Sequence, residues 1–486
     1  MTADLATITG IETPTGLLIG GQWATGRAGT LPVINPATED AITDVADASP
    51  EDALEAVGAA AAALPAWAAR PPRERGEVLR RAFELITQRA EPLARLMVLE
   101  NGKALRDARG EILYAAEFFR WYSEEAVRLD GHLSIAPSGA NRIMVQRQPV
   151  GVSFMITPWN FPAAMATRKI GPALAAGCTV VLKPAKETPL TALAIAGILA
   201  DAGVPDGVVN VLTTRKPGPL TDAVLADPRV RKLSFTGSTE VGRLLLRQAA
   251  DHVINCSMEL GGNAPFLVFD DADVDAAVEG AFLAKMRNGG EACTAANRFY
   301  VHEEVATEFS QKLAARLAGL RVGPGLEDGV DLGPLVNADT RTKVAELVES
   351  ATGDGAKVLT GGQAPDRVGY FYEPTVLDSV PVGAGILNHE IFGPVAPIVR
   401  FSDPDEAIAL ANATEYGLVS YVYSGDLRRA LQAAEALEAG MVGINRGVVS
   451  DPAAPFGGVK QSGLGREGAH EGLLEFTETK YIAVDW

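Results

Sequence analysis

Three cysteines occur in the chain, Cys178, Cys256 and Cys293, and the surroundings of one suit a nucleophile. Cys293 ends the run Arg287-Asn288-Gly289-Gly290-Glu291-Ala292-Cys293. A thiol just after a glycine pair has access and nearby backbone N–H donors. The helix-compatible Thr294-Ala295-Ala296 follows it. Cys178 and Cys256 lie within apolar, strand-like runs and read as inert core. Glu259 in Glu259-Leu260-Gly261-Gly262-Asn263 is a carboxylate set where the backbone must bend closely, or else a surface residue before an ordinary turn. In Thr157-Pro158-Trp159-Asn160-Phe161-Pro162, two prolines and two aromatics pin Asn160, whose amide either points into a cleft or caps the next helix.

Two further segments could hold an anion. Phe235-Thr236-Gly237-Ser238-Thr239-Glu240-Val241-Gly242 turns from a strand through Gly237 and Ser238 into a helix, whose free N–H groups and dipole suit a pyrophosphate. The same pattern is also an ordinary helix cap. No Gly-x-Gly-x-x-Gly fingerprint accompanies it. Lys183-Pro184-Ala185-Lys186 puts two cations at another strand end, where a solvated loop would look the same.

The elements that must position these residues alternate in type. Strand-like Val152–Ile156, Thr179–Leu182, Val208–Leu212, Lys232–Thr236 and Val253–Met258 are separated by helical stretches at Ala163–Ala176, Pro189–Ala202, Thr221–Ala226 and Glu240–Ala250. That order implies βαβ units and a parallel sheet, with ligands at the carboxyl ends of its strands. Phe266 to about Phe456 repeats the alternation. Upstream, Asp52–Ala69, Arg73–Asn101 and Glu111–Leu129 read as helices, after a strand-and-turn segment at Leu17–Pro36. Arg142–Pro149 alternates like an exposed strand. Two α/β domains plus smaller interaction segments account for 486 residues.

Composition narrows the function. Hydrophobic residues are 47% and charged residues 21%, the balance of a globular protein rather than a disordered one. A formal net charge of −18 repels phosphate backbones, so nucleic acid is not an expected partner. Without Cys-x-x-Cys pairs or clustered histidines, no metal site is expected. The start of the chain lacks a basic signal-like region, and the longest nearly apolar stretch, Thr188–Ala200, falls short of the roughly 20 residues a bilayer span needs. The expectation is a soluble protein of the reducing cytoplasm, without a membrane partner.

Asn160, Lys183, Gly237-Ser238, Glu259-Leu260-Gly261-Gly262, Cys293 and Glu390-Ile391-Phe392-Gly393-Pro394 stand in the order and approximate spacing of the NAD(P)-dependent aldehyde dehydrogenase superfamily, which the chain resembles from about Ile19 to Tyr481. Pro455-Phe456-Gly457-Gly458 and Ser462-Gly463-Leu464-Gly465-Arg466-Glu467 extend the resemblance. It implies two Rossmann-like α/β domains with a small β oligomerisation arm: a cofactor-binding domain of 1–130 and 150–259, a catalytic domain of 260–458, and oligomerisation segments 131–149 and 459–486. It also implies a homodimer or homotetramer. By the same resemblance Cys293 is the nucleophile, Asn160 and the Cys293 N–H are the oxyanion donors, and Glu259 is the general base. Thr157, Pro158, Trp159, Lys183, Lys186, Gly237, Ser238, Leu260, Glu390 and Phe392 would line the cofactor.

Within the superfamily the chain resembles the succinate-semialdehyde dehydrogenases most. Arg168 and Arg287, with Ser450, supply the donors that a substrate carboxylate needs. Glutarate or 2-oxoglutarate semialdehyde could use the same clamp, and a broad-specificity dehydrogenase or a non-catalytic protein of this fold are the remaining alternatives. Lys186 stands where NAD-preferring relatives carry Glu, so NADP is expected over NAD. Glu291 replaces the more usual Gln, and since neighbouring residues need not point the same way, little effect on the thiol is expected. Ala295 leaves Cys293 without a vicinal cysteine.

Overall fold

The computed structural model describes residues 5–485. Val152–Ile156, Thr179–Lys183 and Val209–Val211 pair in parallel on one side, and Val230–Thr236 and Asn255–Glu259 on the other. The chain thus winds outward from Val152–Ile156, then crosses over to Val230–Thr236, leaving a crevice between their carboxyl ends. Leu17–Ile19 and Gln22–Ala24 extend one edge antiparallel, and Gly463–Leu464 extends the other, making eight strands. Val152–Ile156 and Thr179–Lys183 are buried at every residue, as strands covered on both faces must be.

The seven-stranded second sheet starts at Ala264–Val268, whose parallel neighbours are Ala296–His302 and Val419–Tyr423. A separate three-stranded unit pairs His132–Ile135, Arg142–Pro149 and Thr477–Val484. The two-sheet α/β architecture with a small β arm is therefore the one expected. Two local expectations need correction. Arg73–Asn101 is two helices, Pro72–Gln88 and Ala90–Asn101, broken at Arg89, because Pro92 is tolerated only in a first turn. Ala296 opens the strand Ala296–His302 rather than a helix, since that segment is buried at all seven residues in the middle of the sheet. Tertiary burial overrides the helix propensity of three small residues.

Helices from early in the chain finish the helices that follow the first two strands. Pro162–Ala176 and Pro189–Asp201 both begin with proline, which has no N–H to satisfy. The next N–H groups need acceptors, and buried carboxylates provide them. Glu111 accepts from Ala163 and Ala164 at 2.9 and 3.3 Å. Glu100 accepts from Leu190 and Thr191 at 2.7 and 2.8 Å. Lys103 neutralises Glu111 in a fully buried ion pair. Removing one member of such a pair leaves a charge stranded in a dry interior. Glu111→Leu should therefore cost about 3–5 kcal/mol, seen as a lower urea midpoint, whereas a loss under about 1 kcal/mol would contradict this role.

Candidate active site

Asn160 follows Val152–Ile156, and Gly237-Ser238 follows Val230–Thr236, so both face the crevice where the winding reverses. The second sheet closes on this crevice with the amino ends of its strands. Cys293 precedes Ala296–His302, and Glu390 to Phe392 precede Val395–Phe401. The cleft between them holds about 230 Å³ and is lined by Pro158, Trp159, Asn160, Gly237, Ser238, Leu260, Cys293, Glu390 and Phe392. Nine of the residues singled out in the sequence therefore meet in one cavity. Thr236 and Gly261, from the same motifs, join them, and so do Met165, Thr340 and Lys343, which no motif singled out. Thr340 and Lys343 come from the helix Ala338–Gly353, where only their distance to the cleft gives them significance.

The half of the cleft at Gly237 offers groups of the kind that take an anion and hydroxyls. Ser238 caps the helix Thr239–Ala250 by accepting from Val241 N–H at 3.4 Å. The remaining free N–H groups point towards the crevice end, where an anion is favoured. Val241 and Leu244 leave apolar surface exposed on the same helix. Glu390, an acceptor suited to hydroxyl groups, takes a hydrogen bond from Gly262 N–H at 3.1 Å. Burial pushes its carboxyl up to about 7. Phe392 holds a left-handed φ of +54° and packs edge-on against Trp159, with ring centroids 5.5 Å apart.

Cys293 is half-buried, and the loop that carries it is packed tightly. A Cβ on Gly262 would stand 2.6 Å from the Cys293 carbonyl oxygen, so only glycine allows that approach. Burial, followed by the carboxylate of Glu390, pushes the Cys293 thiol up to about 12, while Arg168 and Arg287 pull it down. Glu259 is buried, and one of its oxygens has no hydrogen-bond partner. Burial, and then Glu467, hold its carboxyl well above the usual range. Asn160 donates from its amide to the Glu291 carbonyl at 3.1 Å and accepts from Phe161 N–H. The Glu291 side chain instead accepts from Val336 N–H at 3.0 Å.

The three residues expected at a substrate carboxylate are not equivalent. Arg287 donates to Ser450 Oγ at 3.2 Å and lies over the rings of Phe161 and Tyr114, 5.1 and 5.5 Å from their centroids. Among the described residues no carboxylate lies within ion-pair distance of it. Arg168 is buried between Phe456 and Phe118, with Glu467 3.2 Å from its Nε, so its charge is largely matched inside the protein. Its Nη2 reaches Tyr114 Oη at 3.3 Å, which links the two arginines through one phenol.

Glu259, Arg168, Arg287 and Ser450, together with Thr157, Lys183 and Lys186, are not among the residues lining this cleft. Thr157 is buried and donates its N–H to Lys183 O. Lys183 is buried rather than solvated, its ammonium donates to Pro184 O at 3.1 Å, and burial pulls it down to about 8. Lys186 is exposed, 3.9 Å from Glu187, and lines a second cleft with Arg215, Glu100 and Asn337. Arg215 is already paired with Asp47 at 2.8 Å. Cys178 is buried as expected, whereas Cys256 is only half-buried.

Residues 23–482 match the aldehyde dehydrogenase family. The chain is 56% identical over 443 residues to a succinate-semialdehyde dehydrogenase of Paenarthrobacter nicotinovorans, covering 91% of this chain and 98% of that one. It is 50% identical over 467 residues to a glutarate-semialdehyde dehydrogenase of Pseudomonas putida, covering 96% and 97%. The crystal structure of an NADP-dependent enzyme of E. coli superposes with a TM-score of 0.96 at 48% identity, covering 98% of each chain.

Because the thiol lies far above neutral, only a small fraction is ionised, and that fraction rises tenfold for each pH unit. Alkylation of Cys293 by iodoacetamide in the ligand-free protein should thus speed up about tenfold per unit between about pH 7 and 9. Peptide mapping reads this directly, and a rate that levels off in that range would contradict the assignment.

Proposed function

The chain belongs to the aldehyde dehydrogenase family, and from that premise we propose that it oxidises an aldehyde with a terminal carboxylate, succinate semialdehyde first, to the acid with NADP. The observation that carries the substrate class is Arg287, a cation with a hydroxyl neighbour in Ser450 and no carboxylate beside it. A half-buried guanidinium with no paired carboxylate keeps donors for a bidentate anion, and a substrate carboxylate is such an anion. Arg168, already paired, adds to the field through Tyr114. The clamp does not fix chain length, and the relative that acts on glutarate semialdehyde supports a second substrate of the same class.

In this reading Cys293 attacks the carbonyl carbon as thiolate and comes to carry the acyl group as a thioester. The Asn160 amide and the Cys293 N–H donate to the oxygen on which charge develops, and one such donor is worth roughly 3 kcal/mol. When bound, the oxidised dinucleotide supplies a positive charge and the acceptor for a hydride. Glu259 then takes the proton from the water that hydrolyses the thioester. Its raised proton affinity and unpartnered oxygen support that role. A base for water also favours hydrolysis over transfer to a second thiol.

Thr157, Pro158, Trp159, Lys183, Gly237, Ser238, Leu260, Glu390 and Phe392 are assigned to the dinucleotide. Lys186 is assigned to the 2′-phosphate, which its exposed cation attracts and a carboxylate would repel. Residues 1–130 and 150–259 form the cofactor-binding unit and 260–458 the catalytic unit in this reading. The segments 131–149 and 459–486 serve assembly into a homodimer or homotetramer, for which the exposed Leu133, Ile135, Met144 and Tyr481 offer apolar surface. The cytoplasm is the proposed compartment, consistent with three free thiols.

A panel of aldehydes run with both dinucleotides tests the proposal. Carboxylated aldehydes should outperform propanal, and Arg287→Ala should lower kcat/KM for succinate semialdehyde roughly 100-fold while sparing propanal. Lys186→Glu should shift the NADP-to-NAD ratio of kcat/KM about tenfold towards NAD. Equal rates for charged and uncharged aldehydes would sink the substrate assignment, and an unmoved ratio the cofactor assignment.

A further inference from the structure

Asn288, Gly289 and Gly290 adopt left-handed φ values of +54°, +63° and +80° in succession. A Cβ on Gly290 would stand 2.2 Å from Gly393 O, and one on Gly289 3.0 Å from a Leu332 methyl. The turn therefore packs against its neighbours at both glycines, and its only real side chain is that of Asn288. Asparagine is among the few residues that tolerate this backbone region. Its backbone N–H is held by Asp107 at 3.1 Å.

The Asn288 amide is buried and joins two loops. Its Nδ2 donates to Asn160 O at 2.9 Å and to Glu291 O at 3.0 Å. The Asn160 amide donates to the same Glu291 carbonyl at 3.1 Å. Lys103 adds a second donor to Asn160 O at 2.8 Å. Two side-chain amides thus converge on the carbonyl two residues before Cys293, and the Asn160 carbonyl has two donors of its own.

We propose that Asn288 is a positioning residue, whose amide fixes the Asn160 loop against the Cys293 loop and so sets the distance between oxyanion donor and nucleophile. The inference rests on Asn160 being the oxyanion donor. Deleting the amide strands neither carbonyl, because Lys103 still serves Asn160 O and Asn160 still serves Glu291 O. What is lost is the registration of the two loops, and a misplacement on the order of 1 Å can cost about 100-fold in rate.

Asn288→Gly keeps the left-handed turn and removes only the amide. Its kcat should fall about 30-fold, with dinucleotide Kd by fluorescence titration unchanged within about twofold. Added to Asn160→Ala, it should slow turnover by no more than about twofold beyond Asn160→Ala alone, since both losses act through one group. Asn288→Asp, which turns an acceptor towards two carbonyls, should be at least as slow as Asn288→Gly. Overturning results are a near-normal kcat in Asn288→Gly, losses that multiply in the double variant, dinucleotide affinity that falls in step, or wild-type turnover in Asn288→Asp. Failure of both variants at 288 to fold would also overturn it, because the amide would then be holding the fold. Full activity in Asn160→Ala alone is a different outcome, and it would refute the oxyanion assignment itself.

Discussion

Scarcity of water at the meeting of the two sheets governs the chemistry of this protein. Burial raises the proton affinity of Cys293 to about 12 and of Glu390 to about 7, and it holds Glu259 well above a normal carboxyl. Some of the buried charges are offset by direct pairing. Glu467 stands between Arg168 and Lys169, at 3.2 and 2.5 Å, and Lys103 meets Glu111. Arg287, half-buried beside Ser450 and two aromatic rings, has no carboxylate within ion-pair distance among the described residues. A cation without a paired carboxylate thus acts on a thiol that must lose a proton during the reaction.

Two different strand ends build the cleft. The first sheet offers the carboxyl ends at its winding reversal, the usual place for a ligand in an open α/β sheet. The second sheet offers the amino ends of Ala296–His302 and Val395–Phe401. A nucleophile on an amino-end loop lacks a helix dipole to lower its proton affinity, so its activation must come from neighbouring cations, a base or a ligand's charge. Main-chain carbonyls hold the loops together, and helices Ala90–Asn101 and Leu105–Glu125 contribute Asn101 to Trp159 O and Glu111 to the cap of Pro162–Ala176.

Much of this was legible in the sequence where local pattern coincides with tertiary role. The strand–helix alternation from Val152 to Glu259 is strong because its central strands, Val152–Ile156 and Thr179–Lys183, are buried on both faces. Asn160, Gly237, Cys293 and Glu390 are marked by Gly and Pro contexts that constrain the backbone. Less was legible where long-range packing decides. The strand after Cys293 looks helical in isolation, and the break at Arg89 is signalled only by Pro92. Lys343 and Tyr114 carry no motif, and the pairing of Arg168 with Glu467 joins positions almost 300 residues apart. Asn288 was visible as part of the thiol's run, but its two acceptors belong to the folded chain alone.

The proposed oxidation requires an acyl group to pass through one sulfur. In the Glu259→Gln variant, where water should no longer be activated, mixing with succinate semialdehyde and NADP followed by acid quench should leave a succinyl adduct. Peptide mass spectrometry should find it on the Cys293 peptide, and only when the dinucleotide is present. Continued product formation with no adduct, or an adduct on another residue, would contradict the account.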